Sequence, residues 1–250
     1  MLDKYLSIAK EAAIEAGKML SKRQSVHVDA NLKRDIKLSA DKESENIIIE
    51  CLNTTKLPIL SEESGLSESN ENGYYWIVDP LDGTVNYYKG IDELCCVSIA
   101  LFEGKTPVLG VVNRYAMNEL YSGIVGQSAN VNGIHVKPSV VTSLEEAVFS
   151  TGFPKSMDFS DDALRRFINN VQRVKKVRML GSAALMASFV ATGNVDLYFE
   201  DGIFLWDVAG AAAIVEAAGG VTCLQMSDSN YRCSFGAFST VSIMEEFYGT

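Results

Sequence analysis

The sequence predicts an α/β protein in two lobes, an N-terminal α+β lobe over residues 1–142 and a C-terminal α/β lobe over residues 143–250. Three observations predict it. Apolar runs of strand length follow one another in the first half with short turns between them, as in a mostly antiparallel sheet. In the second half, alanine-rich helical stretches alternate with short strands. Between the halves, over residues 138–143, the composition shifts.

At 250 residues the chain can bury a sizeable core, and a 47% hydrophobic and 22% charged composition is that of a folded globular protein. The net charge of -10 argues against nucleic acid or an anionic membrane as partner. Small phosphates stay open, because bound metal can neutralise clustered acids. No run approaches membrane-spanning length, and the charged start lacks the apolar region of a signal peptide. The five cysteines, an odd number without zinc spacing, read as reduced core residues. The expected location is the cytoplasm.

Taken in order, residues 2–23 carry Leu2, Leu6, Ala9, Ala13, Ala16, Met19 and Leu20 at helical spacing, an amphipathic packing helix. Residues 24–41 are polar and charged and read as a mobile segment. Asp41 then stands where it can cap a helix over 42–52. Residues 57–60 form a short apolar strand ending in acid at Glu62 and Glu63, and 67–73 read as a polar loop. Strands follow over 94–102, which includes the adjacent Cys95 and Cys96, and over 107–112 and 119–123. Asn132-Gly133 is a hairpin signal. Further on, 145–151 reads as a strand, 161–175 as an amphipathic helix and 183–191 as an alanine-rich helix. After a strand over 195–199, Glu200-Asp201-Gly202 leads to a helix over 208–218 ended by Gly219-Gly220. Residues 221–224 and 235–242 close the chain as strands.

The stretch with chemistry in it is Trp76-Ile77-Val78-Asp79-Pro80-Leu81-Asp82-Gly83-Thr84-Val85-Asn86-Tyr87. An apolar strand delivers two carboxylates into a turn that Pro80 and Gly83 impose, so Asp79 and Asp82 can converge with the Leu81 carbonyl between them. An oxygen-only set suits a hard divalent cation such as Mg²⁺. Gly83 lets backbone approach a ligand, and Thr84 offers a hydroxyl at the start of a short helix. An ordinary acidic turn is the competing reading, but a core strand rarely ends in two carboxylates without a partner. Elsewhere the alternatives stand side by side. Glu62 and Glu63 are a surface acid pair or neighbours of Asp79. Gly181 and Ser182 cap a helix or offer it to an oxygen-rich ligand. Asp207 caps a helix or joins the carboxylates, with Trp206 walling the site. His27 and His135 lie in no motif and read as surface residues.

With these residues in view the chain resembles the inositol monophosphatase family of Mg²⁺-dependent, lithium-sensitive phosphatases. The resemblance rests on Glu62-Glu63-Ser64, on the Trp76 to Asn86 motif, and on Trp206-Asp207-Val208-Ala209-Gly210 with Gly219-Gly220 beyond; weaker matches fall at 35–41, 126–133 and 181–183. It implies an alternating α-β-α-β-α sandwich of the inositol monophosphatase and fructose-1,6-bisphosphatase type, two or three Mg²⁺ per site, and a homodimer. By position it implies Glu62, Asp79 and the Leu81 carbonyl as ligands of one Mg²⁺, and Asp79, Asp82 and Asp207 as ligands of a second. Glu62 and Thr84 would activate the attacking water, supported by Glu63 and Asp41. Gly83 and Thr84 would hold phosphate. Gly181, Ser182, Ala183, Glu200 and Asp207 would meet substrate hydroxyls.

The chain departs from the family pattern at Ser61, at Ile91-Asp92-Glu93-Leu94, at Arg114 and at Asp201. None of these is an expected ligand, so they bear on substrate more than on reaction. The expected activity is Mg²⁺-dependent hydrolysis of a small polyol phosphate, most specifically inositol 1-phosphate, by in-line attack of metal-activated water. The alternatives are a 3'-phosphoadenosine 5'-phosphate, sugar phosphate or histidinol phosphate phosphatase and, from another class, a non-catalytic metal- or phosphate-binding protein.

Overall fold

Small side chains decide how the first helix packs. In α1 (Leu2–Ser21) the buried stripe is Ala9, Ala12, Ala13, Ala16, Gly17 and Leu20, so the helix lies close to α2 (Ser39–Leu52) and to the sheet beneath them. The computed structural model describes residues 1–23, 27–32, 35–67, 73–154, 157–227 and 230–249. Between the two helices β1 (Val28–Leu32) and β2 (Asp35–Leu38) pair as an antiparallel hairpin, where a mobile polar segment was expected. The backbone ladder satisfies polar groups that no hydrophobic pattern announces.

The next strands are β3 (Ile59–Ser61), β4 (Gly65–Leu66) and β5 (Tyr74–Asp82), followed by α3 (Thr84–Lys89). Most of the loop expected over 67–73, residues 68–72, lies outside the described residues. A meander of β6 (Cys96–Glu103), β7 (Thr106–Arg114), β8 (Glu119–Ile124), β9 (Ser128–Val131) and β10 (Ile134–His135) completes an eight-stranded sheet in the order β10-β9-β8-β7-β6-β5-β3-β4. Every pair in it is antiparallel except β3 with β5. Asn132 and Gly133 both take positive φ in the β9–β10 turn, as the hairpin signal requires.

The second half supplies β11 (Val148–Ser150), α4 (Asp161–Gln172), β12 (Lys176–Arg178), α5 (Ala183–Ala191), β13 (Leu197–Phe204), α6 (Leu205–Ala218), β14 (Val221–Met226), β15 (Arg232–Phe238) and α7 (Val241–Tyr248). Its five strands run β12-β11-β13-β15-β14. α5 and α6 are buried almost throughout and fill the space between the two sheets, while α7 covers the far face of the second sheet. The layers are therefore helix, sheet, helix, sheet, helix, the alternating sandwich expected.

Several boundaries differ from expectation, among them β11, α4, the start of α6, the end of β13 and the end of β15. β13 runs on through Glu200, Asp201 and Gly202 with a bulge, Gly202 at φ +80°. The strand expected over 235–242 stops at Phe238, and residues 241 and 242 open α7 instead, because Thr240 accepts the Ile243 N–H at 3.3 Å and Ile243 and Phe247 repeat at helical spacing toward the core. Cys95 and Cys96 are fully buried, all five cysteines are free thiols, and His27 and His135 are exposed. No described helix is long and apolar enough to cross a membrane.

Candidate metal centre

The centre forms where three chain segments end side by side. β5 pairs with β6 from Tyr74 to Asp79, opposite Ser98, and then bulges so that Asp82 faces Cys96. Pro80, without an N–H, is what the ladder cannot pair. The strand thereby ends in two carboxylates, and the Leu81 N–H donates back to Asp79 at 3.0 Å. β3 runs parallel to β5, and its continuation donates the Glu62 N–H to the Val78 carbonyl at 3.2 Å, which sets Glu62 beside Asp79. Asp207 arrives from the first turn of α6, accepting the Phe204 N–H at 3.2 Å. Both competing readings of Asp207 hold together: it caps its helix and it joins the carboxylates.

Glu62, Asp79 and Asp207 each offer an oxygen within 4.8 Å of the others. The donors are all hard oxygens, so the set fits Mg²⁺ in preference to a thiophilic metal. Electrostatics agrees with that fit. Burial, then the Glu62, Asp82 and Asp207 charges, push the Asp79 carboxyl well above the usual range, the condition a divalent cation relieves.

A cavity of about 200 Å³ opens beside this cluster. Leu81, Asp82, Gly83, Thr84, Gly181, Ser182, Ala183 and Glu200 line it with the three acids, so all the expected site residues meet there except Asp41 and Glu63. Asp41 stands behind Thr84, whose hydroxyl lies 3.2 Å from its carboxylate and 3.0 Å from the Leu81 carbonyl. It caps α2 from inside the first turn rather than from the N-cap position, accepting the Leu38 N–H at 2.9 Å as Asp207 accepts that of Phe204. Burial pushes its carboxyl up to about 7, and the Glu63 charge adds to the rise against the Leu38 and Thr84 bonds.

Asp82 is the residue whose surroundings differ most from expectation. Its carboxylate accepts the Ser182 hydroxyl at 2.6 Å and the N–H groups of Ala183 and Ala184 at 3.2 and 2.7 Å. The start of α5, read as either a capped end or one open to a ligand, already holds an anion from the chain itself, and Asp82 is absent from the compact three-acid group. It lines the cavity and locks α5 to the turn at the end of β5. Trp206 does not line the cavity: Phe204 does, with Trp206 stacked behind it at 4.8 Å. Sequence reasoning also missed Gly152 and Phe153, which line the cavity from a loop without a motif. A Cβ on Gly152 would come within 2.5 Å of the Glu200 carboxylate.

Glu200 is buried, and burial pushes its carboxyl from 4.5 up to about 8, with the Tyr198 hydroxyl opposing and the Asp82 charge assisting. The unfolded chain loses this proton near 4.5, so the folded chain binds more protons throughout the window between. Stability is fully present below the lower value and falls as pH rises through the upper one, by up to about 1.4 kcal/mol per pH unit. In urea titrations of the metal-free protein from about pH 5 to about pH 8, Glu200→Gln should flatten this decline. A decline identical to that of the wild type would contradict the assignment.

A model of the inositol monophosphatase family matches residues 1–234. "Nus factor SuhB" of Pasteurella multocida is 36% identical over 230 residues, covering 89% of this chain and 85% of the relative. "Inositol monophosphatase" of Mesembryanthemum crystallinum is 36% identical over 233 residues, covering 88% of this chain and 85% of the relative. Among solved structures, inositol monophosphatase from Anabaena superposes with a TM-score of 0.86 at 33% identity, over 98% of this chain and 94% of the other.

Proposed function

Since the chain belongs to the inositol monophosphatase family, membership that supports a phosphatase hydrolase, we propose that it is a Mg²⁺-dependent phosphomonoesterase acting on a small polyol phosphate, most specifically inositol 1-phosphate. The observation that carries this reading is the convergence of Glu62, Asp79 and Asp207 within 4.8 Å, beside a cavity lined by backbone and hydroxyl groups suited to a phosphate. Leu81 through its carbonyl and Asp82 from the cavity wall complete the proposed ligands, for two or three ions.

Bound there, Mg²⁺ lowers the pKa of water and offsets the charge of the phosphate. The protein's own groups do the rest. Glu62 and Thr84 orient the attacking water; when Thr84 donates its hydroxyl to Asp41, its lone pairs are free to accept from that water. Glu63 acts on this pair from behind through its charge, which raises the Asp41 carboxyl. The N–H groups of Gly83 and Thr84 hold phosphate oxygens. Burial raises the Glu200 carboxyl, and in its protonated form it can donate to a substrate hydroxyl as well as accept. Asp207 and the Gly181-Ser182-Ala183 turn meet the remaining hydroxyls and set the leaving group in line.

Phosphate release from inositol 1-phosphate, with and without Mg²⁺, tests the reading. Turnover should need the metal and fall steeply in Asp82→Asn, while turnover independent of metal or unaltered by that substitution would overturn it. A panel of sugar, histidinol and adenosine phosphates ranks the substrate alternatives. Binding of metal and phosphate without turnover would instead favour the non-catalytic class. The resemblance also supports a homodimer inhibited by lithium, the free cysteines support a reducing cytoplasm, and the acidic charge disfavours nucleic acid and membrane partners.

A further inference from the structure

Helix α2 turns a buried face toward the metal centre, and the first part of that face is polar. Asp41, Ser44 and Glu45 stand at i, i+3 and i+4, on one side of the helix, and all three are buried. Ile48 and Leu52 carry the same stripe on as apolar core. Each polar side chain grips a different piece of the site. Asp41 faces Thr84. Ser44 donates its hydroxyl to the Pro80 carbonyl at 2.7 Å. Glu45 accepts both the N–H and the hydroxyl of Ser64, each at 3.0 Å.

These bonds fall where the sheet stops holding the chain. The ladder between β3 and β5 ends with Ser61 opposite Val78 and the single bond from the Glu62 N–H. Beyond it the chain turns through residues 62–64 and returns at Gly65, φ +74°. Glu45 ties the far side of that turn. On the other strand the regular pairing lapses between Asp79 and Asp82, and Ser44 takes up the carbonyl in the gap. A buried carboxylate is costly to desolvate, and a Leu at position 45 would have extended the apolar stripe.

We propose that Ser44 and Glu45 are positioning residues for the metal: acting through Pro80 and Ser64, they fix the separation between the turn that carries Glu62 and the turn that carries Asp79. Neither touches the reacting groups. The inference rests on the metal-centre reading above and adds to it the part of the chain that sets the ligand spacing.

Two readouts test it on the full chain. Mn²⁺ alone, titrated and followed by electron paramagnetic resonance, reports the metal dissociation constant; phosphate release from inositol 1-phosphate over a range of Mg²⁺ separates metal affinity from turnover. Glu45→Ala releases the Glu62 turn and should weaken Mn²⁺ binding about 10–100-fold, with a matching rise in the Mg²⁺ needed for half-maximal rate. Glu45→Gln keeps a carbonyl oxygen for Ser64 and should restore binding to near the wild-type value. Ser44→Ala should weaken it about tenfold, and Glu50→Ala, exposed on the same helix, should leave it unchanged. A merely structural role would lower the melting temperature without moving the dissociation constant.

A Glu45→Ala protein that folds and binds Mn²⁺ as the wild type does would overturn the proposal. If that variant fails to fold, Ser44→Ala decides by the same criterion. Wild-type protein that binds no Mn²⁺ would defeat the metal-centre reading itself, an outcome distinguishable from loss of positioning alone.

Discussion

Asp79→Asn should yield a protein that is more stable without metal than the wild type and nearly inactive with it. The stability gain follows from the surroundings of the carboxylate, which is buried, with Glu62, Asp82 and Asp207 the charges acting on it. Its carboxyl is raised well above 3.8, so the folded chain loses stability as pH rises from the unfolded value toward the raised one, and the loss is complete above it. An asparagine keeps the acceptor for the Leu81 N–H and cannot ionise. The gain should be about 1 kcal/mol or more, a rise of about 2–4 °C in melting temperature for a chain of this size. It should vanish at a pH low enough to protonate Asp79 in both folded and unfolded chains. Turnover moves the other way. Metal stabilisation of a phosphoryl transition state is worth several kcal/mol, so losing a central ligand should slow phosphate release about a thousandfold or more. Thermal melts in EDTA beside phosphate release check both halves. A destabilised variant or an active one would contradict the account, which takes the cluster to trade stability for function.

Gly110→Ala should be the most destabilising single-methyl change in the interior. α6 lies on the first sheet backbone to backbone: a Cβ on Gly110 of β7 would come within 2.1 Å of the Gly210 carbonyl oxygen, and one on Gly123 of β8 within 2.7 Å of Ala217. A Cβ on Gly210 itself would come within 2.5 Å of the Ser98 hydroxyl of β6. No side chain can swing away to make room, because the obstacle at Gly110 is backbone, so the helix itself has to move. Overpacking of this kind costs about 1–3 kcal/mol and occasionally more, here at the upper end, or about 6–12 °C in melting temperature. Since α6 carries Asp207 at its start, the displacement also takes a carboxylate from the cluster, and phosphate release should fall with stability. Differential scanning calorimetry and the phosphate assay would show both. A variant melting within 2 °C of the wild type would mean that α6 is not held in the way described.

How much of this was legible in the chain depended on the range of each interaction. The strand running into Asp79 and Asp82 could be read because a continuous apolar run, proline and paired acid sit within one short stretch. Two strands that both end in acid suggested its convergence with Glu62 or Glu63 but could not exclude a surface pair, because strand adjacency is not a local property. Asp207 could not be separated from a helix cap by local sequence, and the structure makes it both. The partner of Asp82 was hidden, because Ser182, Ala183 and Ala184 lie a hundred residues on, and nothing in the 181–184 stretch distinguishes an end waiting for a ligand from one already taken. Trp206 drew notice for its size, whereas Phe204, stacked on it, faces the cavity. Ser44 and Glu45 left a readable sign, a polar start to a stripe that Ile48 and Leu52 continue, but only the neighbouring turns give it meaning. The last strand was carried two residues into α7 and the rest of that helix was not read, although Thr240 followed by Ile243 and Phe247 is a helix-start pattern.

The proposal that the three acids hold a hard cation is tested most directly by crystals of the wild type and of Asp79→Asn grown with Mn²⁺ in place of Mg²⁺ and mapped by anomalous scattering. The account predicts a strong peak in the wild type at coordination distance, about 2.0–2.2 Å, from the Glu62, Asp79 and Asp207 carboxylates, and its loss or marked weakening in the variant. An empty map at these carboxylates in the wild type, or a peak there that Asp79→Asn leaves untouched, would contradict it.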